Sequence, residues 1–249
     1  DEMLAMPAHF FIRFFRNHGL LSLGDRPTWK VISGGSREYV NKLVAAHRSR
    51  IRLNCPVESV SRFADQVVVV ADGQPAESFD AVFMACHSDQ ALRLLADPSE
   101  DEQEVLGAIR YQHNQAILHT DNSLMPVRRR AWASWNYHLS ADGGERATLT
   151  YHMNRLQRLD VGQDYFVTLN SCANIDPAKV ICEVAYEHPV FTAEAVSAQQ
   201  MKGEIDGANR TYFCGAYWRY GFHEDGVMSA LSALSKFNKV QGDAQQHLQ

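Results

Sequence analysis

The chain has 249 residues, 45% of them apolar and 21% charged, with a formal net charge of −5. That length accommodates one large domain or two interleaved ones around a packed core, and the composition is that of an ordinary globular protein. The acidic balance leaves no basic footprint, so nucleic acid is not expected as a partner.

In chain order, Asp1 leads almost at once into LAMPAHFFIRFFRNHGLL, and the start reads as a cut made within a longer polypeptide. Phe10, Phe11, Phe14 and Phe15 recur at helical spacing and predict a helix with a wide apolar face. Arg13 and Arg16 interrupt it, and no uninterrupted apolar run approaches the ~20 residues of a membrane span. No signal peptide is visible. The helix is read as packing on the protein's own core, in preference to the peripheral membrane contact that a surface-lying helix would make.

Pro27 and the Gly34-Gly35 pair punctuate the next segment, with a short extended run at Trp29–Ser33. Ser36 suits an N-cap, before a helical stripe of Tyr39, Val40, Leu43 and Val44. IRLNCPVESVSRFADQVVVVADGQ alternates from Ile51, breaks at Pro56, resumes at Val67–Val70 and turns at Asp72-Gly73, which predicts a β-meander. Phe79–Ala85 (FDAVFMA) is nearly all apolar, as in a strand covered on both faces. Asp89–Leu95 reads as a short helix.

From Glu100 the style changes. Strands are expected at Gln115–His119, Ala131–Tyr137, Ala147–His152, Tyr165–Leu169 and Val180–Tyr186, with a short helix at Asn154–Leu159 and a loop at Asp142-Gly143-Gly144. Residues 211–239 return to strand, glycine and helix. The fold class expected is therefore mixed α/β and α+β, with an antiparallel-sheet domain inserted into an α/β domain. The boundaries read are 28–98 with 205–240 for the α/β domain, and 1–27 with 99–204 for the sheet domain.

Several chemistries lack their residues. No H-E-x-x-H or cysteine pair occurs, so no metal site is expected. G-x-S-x-G is absent, as are a P-loop and G-x-G-x-x-G. Cys55, Cys86, Cys172, Cys182 and Cys214 are scattered and read as reduced thiols of a cytoplasmic protein.

What remains is GAYWRYGFHEDGVMSAL, residues 215–231. Gly215 ends a strand and permits close backbone approach. Gly226, Val227 and Met228 are expected to form the first turn of a helix running to Phe237, with their N–H groups at its positive end. Asp225 suits either the N-cap or a ligand role. His223 and Glu224 precede the turn.

With these segments in view, the chain resembles the flavin-containing amine oxidoreductases, the group that includes monoamine oxidases and phytoene desaturases. The resemblance rests on WKVISGGSREYVNKLV with IRLNCPVESV, on FDAVFMACHSDQALRLL, and on TYFCGAYWRYGFHEDGVMSAL. It implies an incomplete FAD-binding Rossmann-like domain, truncated at its N-terminus, around an antiparallel substrate domain. It further implies that the Val57 backbone touches the adenine and that Gly215 and Ala216 lie by the pyrophosphate. Gly226 and Val227 would present amides to the flavin's pyrimidine edge.

Two departures from the family accompany this. Its N-terminal glycine-rich segment is not in the chain. The lysine that many amine oxidases place beside the flavin is missing from Gln112–His119, and no lysine occurs between Lys42 and Lys179. The function expected is FAD-dependent hydride transfer from a substrate C–H, with His223 the candidate acid–base residue. A small-molecule or lipid-like substrate is read from the Phe10–Phe15 helix and from Trp132, Trp135 and Tyr137. The alternative is a non-catalytic remnant or binding module on the same scaffold.

Overall fold

A computed structural model describes residues 5–22, 24, 28, 30–138, 148–170 and 175–246. Pro27, Trp29, Ala147, Cys172 and the expected loop at Asp142-Gly143-Gly144 lie outside the described residues. The chain divides into two compact units, residues 2–110 with 189–249, and residues 111–188. Residues 2–27, 99–110 and 189–204, read in the sequence with the sheet domain, group here with the α/β unit.

The elements in order begin with helices α1 (Ala8–Asn17) and α2 (Arg37–Val44). Strands β1 (Val57–Arg62), β2 (Val67–Ala71), β3 (Glu77–Phe79) and β4 (Val82–Met84) follow, then helices α3 (Ser88–Leu94) and α4 (Glu100–Gly107). The sheet unit holds β5 (Tyr111–His119), β6 (Trp135–His138), β7 (Thr148–His152), helix α5 (Met153–Gln157), β8 (Phe166–Leu169) and β9 (Val180–Pro189). Helices α6 (Ala193–Gln200) and α7 (Lys202–Ile205), strand β10 (Thr211–Phe213) and helix α8 (His223–Gln246) complete the chain.

In the α/β unit, β1, β2 and β3 form the expected antiparallel meander, but its first strand starts after Pro56 rather than at Ile51. Proline offers no N–H to a ladder, so pairing begins with Val57 opposite Ala71. The apolar run Phe79–Ala85 is not one strand. Glu77–Phe79 closes the meander, whereas Val82–Met84 pairs in parallel with β10, and Phe83 is 39% exposed. Ser36 stands at the N-cap of α2, as expected, but with helical φ and ψ and no side-chain cap bond; ahead of α2 the Glu38 N–H donates to the Gly35 carbonyl at 3.1 Å.

The core of this unit is pinned by one buried ion pair. Arg62 on β1 donates to both carboxylate oxygens of Glu102 on α4, at 2.6 and 2.8 Å. Glu102 also accepts the Ser99 N–H at 2.8 Å, so one carboxylate both caps α4 and ties it to the sheet. Burial alone would lower the Arg62 pKa, and the bonds to Glu102 raise it instead. Around this pair Val60, Leu95, Val105 and Leu106 are buried.

The sheet unit orders its strands β6-β7-β8-β5-β9, and β5–β8, β6–β7 and β7–β8 are antiparallel. Met125, Trp132 and Phe166 pack together, and the Trp132 indole N–H donates to the Pro126 carbonyl at 2.7 Å. Trp132 is therefore core, whereas Trp135 and Tyr137 are exposed. His119, fully buried, stacks on Phe166 and sits 2.8 Å from the Thr168 hydroxyl.

Candidate functional site

β10 is buried along its whole length and extends its parallel pairing one residue further, with the Cys214 N–H on the Met84 carbonyl at 2.9 Å. Gly215 follows. Its φ of 167° is ordinary extended backbone, so the reason for glycine is space. A Cβ there would meet the Tyr217 ring at 2.1 Å. Its N–H is also spent, donating to the Ser229 hydroxyl oxygen at 2.8 Å. Ser229 in turn donates to the Gly226 carbonyl at 2.8 Å. The two glycines marked in the sequence are thus joined through a serine that sequence reasoning passed over. The available signal was a serine three residues after a helical glycine, where a hydroxyl can bond back along the helix.

The helix after this turn begins at His223, three residues before the expected start. Asp225 causes the shift. Its buried carboxylate accepts N–H bonds from Tyr220 (3.2 Å) and Phe222 (3.1 Å) and faces the Arg219 guanidinium at 3.4 Å. It works as a residue of the first turn reaching back, not as an N-cap preceding the helix. The Gly226 N–H consequently donates to the Phe222 carbonyl at 3.2 Å, and the Val227 N–H falls within the helical ladder. The Gly226 and Val227 amides thus lie within the helix, and the first-turn amides that have no intrahelical acceptor are those of His223, Glu224 and Asp225.

Gly226 nevertheless leaves an open face. Nothing lies within 4 Å of where its Cβ would stand, so no packing inside the fold requires glycine there. Val227 beside it is 50% exposed. Ala216 opens a short 3-10 turn and is half-buried. Val57 is 39% exposed at the start of β1, where the ladder bulges between Val57 and Ser59. His223 is exposed, and its Nδ1 lies 2.8 Å from the Tyr39 hydroxyl of α2. Arg210, ahead of β10, donates to the carbonyls of Ala64 (3.0 Å) and Asp80 (3.2 Å), tying β10 to the meander.

Residues 2–136 match the sequence profile of the flavin-containing amine oxidoreductases. The chain belongs to that family. Family membership indicates FAD as the cofactor. No curated protein matches the chain in sequence. Among solved structures, a CLA-producing fatty acid isomerase from P. acnes is similar at 15% identity and a TM-score of 0.63, over 93% of this chain and 58% of that one. Cyclohexylamine oxidase from Brevibacterium oxydans is similar at 10% identity and a TM-score of 0.54, over 82% and 53%. Putrescine oxidase bound to putrescine is similar at 12% identity and a TM-score of 0.52, over 82% and 53%. The chain thus spans between half and three-fifths of these neighbours, and at such identities the likeness establishes the fold.

The residues present fit a flavin. A helix start whose first-turn amides have no intrahelical acceptor supplies partial positive charge, and the bare face of Gly226 leaves room beside it. In the α1 region, Phe14 stacks on Phe222 with centroids 5.9 Å apart, and Phe10 contacts Tyr220 at 4.7 Å. The aromatic helix thus packs on the turn that leads into α8. No helix among the described residues is long and apolar enough to cross a membrane.

Proposed function

We propose that the chain is part of an FAD-dependent oxidoreductase, with the α/β unit holding the cofactor and the sheet unit contributing to substrate binding. When bound, the flavin supplies a hydride acceptor for a substrate C–H. The first-turn amides of His223, Glu224 and Asp225 place positive potential where negative charge grows on reduction. Gly226 and Val227 form the bare surface against which a planar ring can rest. Ala216, beside Gly215, would hold the pyrophosphate, and the Val57 main chain would offer an extended edge to the adenine. His223, held by Tyr39, is the acid–base candidate at this turn.

The observation that carries this reading is the open face at Gly226 on the first turn of α8. Two facts favour a small apolar or lipid-like substrate over an amine. No lysine lies on β5, and one neighbour in fold is named as a fatty acid isomerase. The test is titration of the purified chain with FAD, following quenching of flavin fluorescence and the visible spectrum after gel filtration. Saturable binding with retained flavin absorbance supports the proposal. A colourless chain that leaves FAD fluorescence unchanged overturns it for this polypeptide. That outcome favours the second reading, a non-catalytic binding module on the same scaffold.

A further inference from the structure

We infer that one end of the sheet unit is a docking surface for an anionic lipid membrane, formed by aliphatic tips set among arginines. Two loops build it. The first joins β5 to β6 and carries Val127-Arg128-Arg129-Arg130, with a 3-10 turn at Arg129–Ala131. The second joins α5 to β8 and carries Arg158, Leu159 and Val161. Arg129 donates to Asp164 of the second loop at 2.8 Å, and Arg155 of α5 donates to the Trp132 carbonyl at 2.5 Å, so the two loops lie side by side.

The first loop is held outward by its own anchors. Met125 and Trp132 are buried on either side of it, packed with Phe166, and the Trp132 indole N–H closes it on the Pro126 carbonyl at 2.7 Å. Residues 127–131 between these anchors are all exposed, and Val127 is fully so. A fully exposed valine buries no area on folding, whereas at a bilayer it can enter the acyl boundary. Leu159 and Val161, at 39% and 54% exposure, repeat the pattern on the second loop.

Charge selects the kind of surface. Residues 122–134 and 153–164 together hold five arginines and two aspartates, in a chain whose net charge is −5. Asp164 is taken up by Arg129 and by His152, the latter at 3.0 Å. Arg128 and Arg130 are exposed and have no carboxylate partner among the described residues. Basic side chains gathered at one end of an acidic chain attract anionic headgroups. The aliphatic tips favour a bilayer over a nucleic acid, whose phosphates offer them no apolar layer to enter. This surface is separate from α1, whose Phe10 and Phe14 pack on Tyr220 and Phe222. Docking requires no flavin, so its outcome is independent of the FAD titration.

The experiment is co-sedimentation of the chain with vesicles of equal parts phosphatidylglycerol and phosphatidylcholine, and with vesicles of phosphatidylcholine alone. Wild type is compared with R128Q/R130Q, V127N and R48Q/R50Q. Arg48 and Arg50 are exposed in the α/β unit at the same spacing, so their removal takes away the same charge elsewhere. Wild type is expected on the anionic vesicles, with release as sodium chloride rises from about 0.05 to about 0.5 M. R128Q/R130Q weakens this binding at least about tenfold, and R48Q/R50Q leaves it unchanged. V127N, which alters no charge, weakens it at least about fivefold. All the substituted side chains are exposed, and circular dichroism checks that each variant folds. Four results overturn the assignment. They are no binding to anionic vesicles, equal binding to phosphatidylcholine alone, equal losses for the two double variants, and a single-stranded DNA oligonucleotide bound as tightly with V127N without effect.

Discussion

The Tyr39 hydroxyl lies 2.8 Å from Nδ1 of His223, joining residues 184 positions apart. The contact ties α2, next to the Gly34-Gly35 turn, to the first turn of α8. The pair is exposed, so its hydrogen bond contributes modestly, about 0.5–1 kcal/mol. Y39F is expected to lower unfolding stability by no more than that while raising amide exchange in α2. A double-mutant cycle with H223Q, read by denaturant unfolding, measures the coupling. A coupling near zero would show that the two side chains do not interact in solution.

Gly226→Ala separates folding from ligand approach. Its Cβ enters open space, and alanine is the better helix former by about 1 kcal/mol. The variant should therefore melt at a higher temperature than wild type. Its affinity for FAD should fall severalfold if the ring rests on this face. A variant that is stabilised and binds FAD unchanged removes Gly226 from the proposed surface.

Gly215→Ala should do the opposite. The added Cβ strikes the Tyr217 ring at 2.1 Å, and Tyr217 is buried. Overpacking of this kind costs roughly 1–3 kcal/mol. Thermal unfolding of G215A, and of G215A combined with Y217L, checks the mechanism, because removing the ring should restore part of the loss.

Glu102→Gln removes the buried carboxylate of a pair that Asp97 also joins, its Oδ1 3.0 Å from the Arg62 Nε. Removing one partner of a buried ion pair costs about 3–5 kcal/mol, and the remaining Asp97 contact places the loss at the low end of that range. Urea unfolding followed by circular dichroism should show this loss, together with faster exchange at the start of α4, where Glu102 receives the Ser99 N–H. A loss below about 1 kcal/mol would mean that the pair is solvated.

The sheet unit should be acid-sensitive in two steps. Burial depresses the His119 pKa below its ordinary value near 6.5, against the pull of Asp121. The unfolded state therefore takes up the proton first, and stability falls as pH drops through about 6.5. Burial would raise the Asp121 pKa, but N–H bonds from Asp176 and Ser123 and the Lys179 ammonium outweigh it and hold the carboxyl well below its ordinary value of 3.8. That stabilisation is complete above the unfolded pKa and is lost as pH falls below about 4. Stability measured from pH 7 to pH 2 should show both declines, and D121N should flatten the second.

Much of the fold was legible in the chain. Apolar spacing at Phe10–Phe15, the alternation through Val57–Ala71 and the strand–glycine order around Gly215 are local patterns, set by the periods of helix and strand. The site was legible only as a segment. Which amides stay unspent depends on where α8 starts, and Asp225 fixes that by reaching back to Tyr220 and Phe222. Ser229 was missed because bonding to Gly215 requires the helix and the strand end to be side by side.

By itself the sequence determined the family, the two styles of structure and the glycine turn, because each is written in near-neighbour chemistry. The tertiary structure alone decided that the Gly215 amide is consumed and that Gly226 faces open space. These outcomes rest on contacts between distant segments, whose distances no local pattern records.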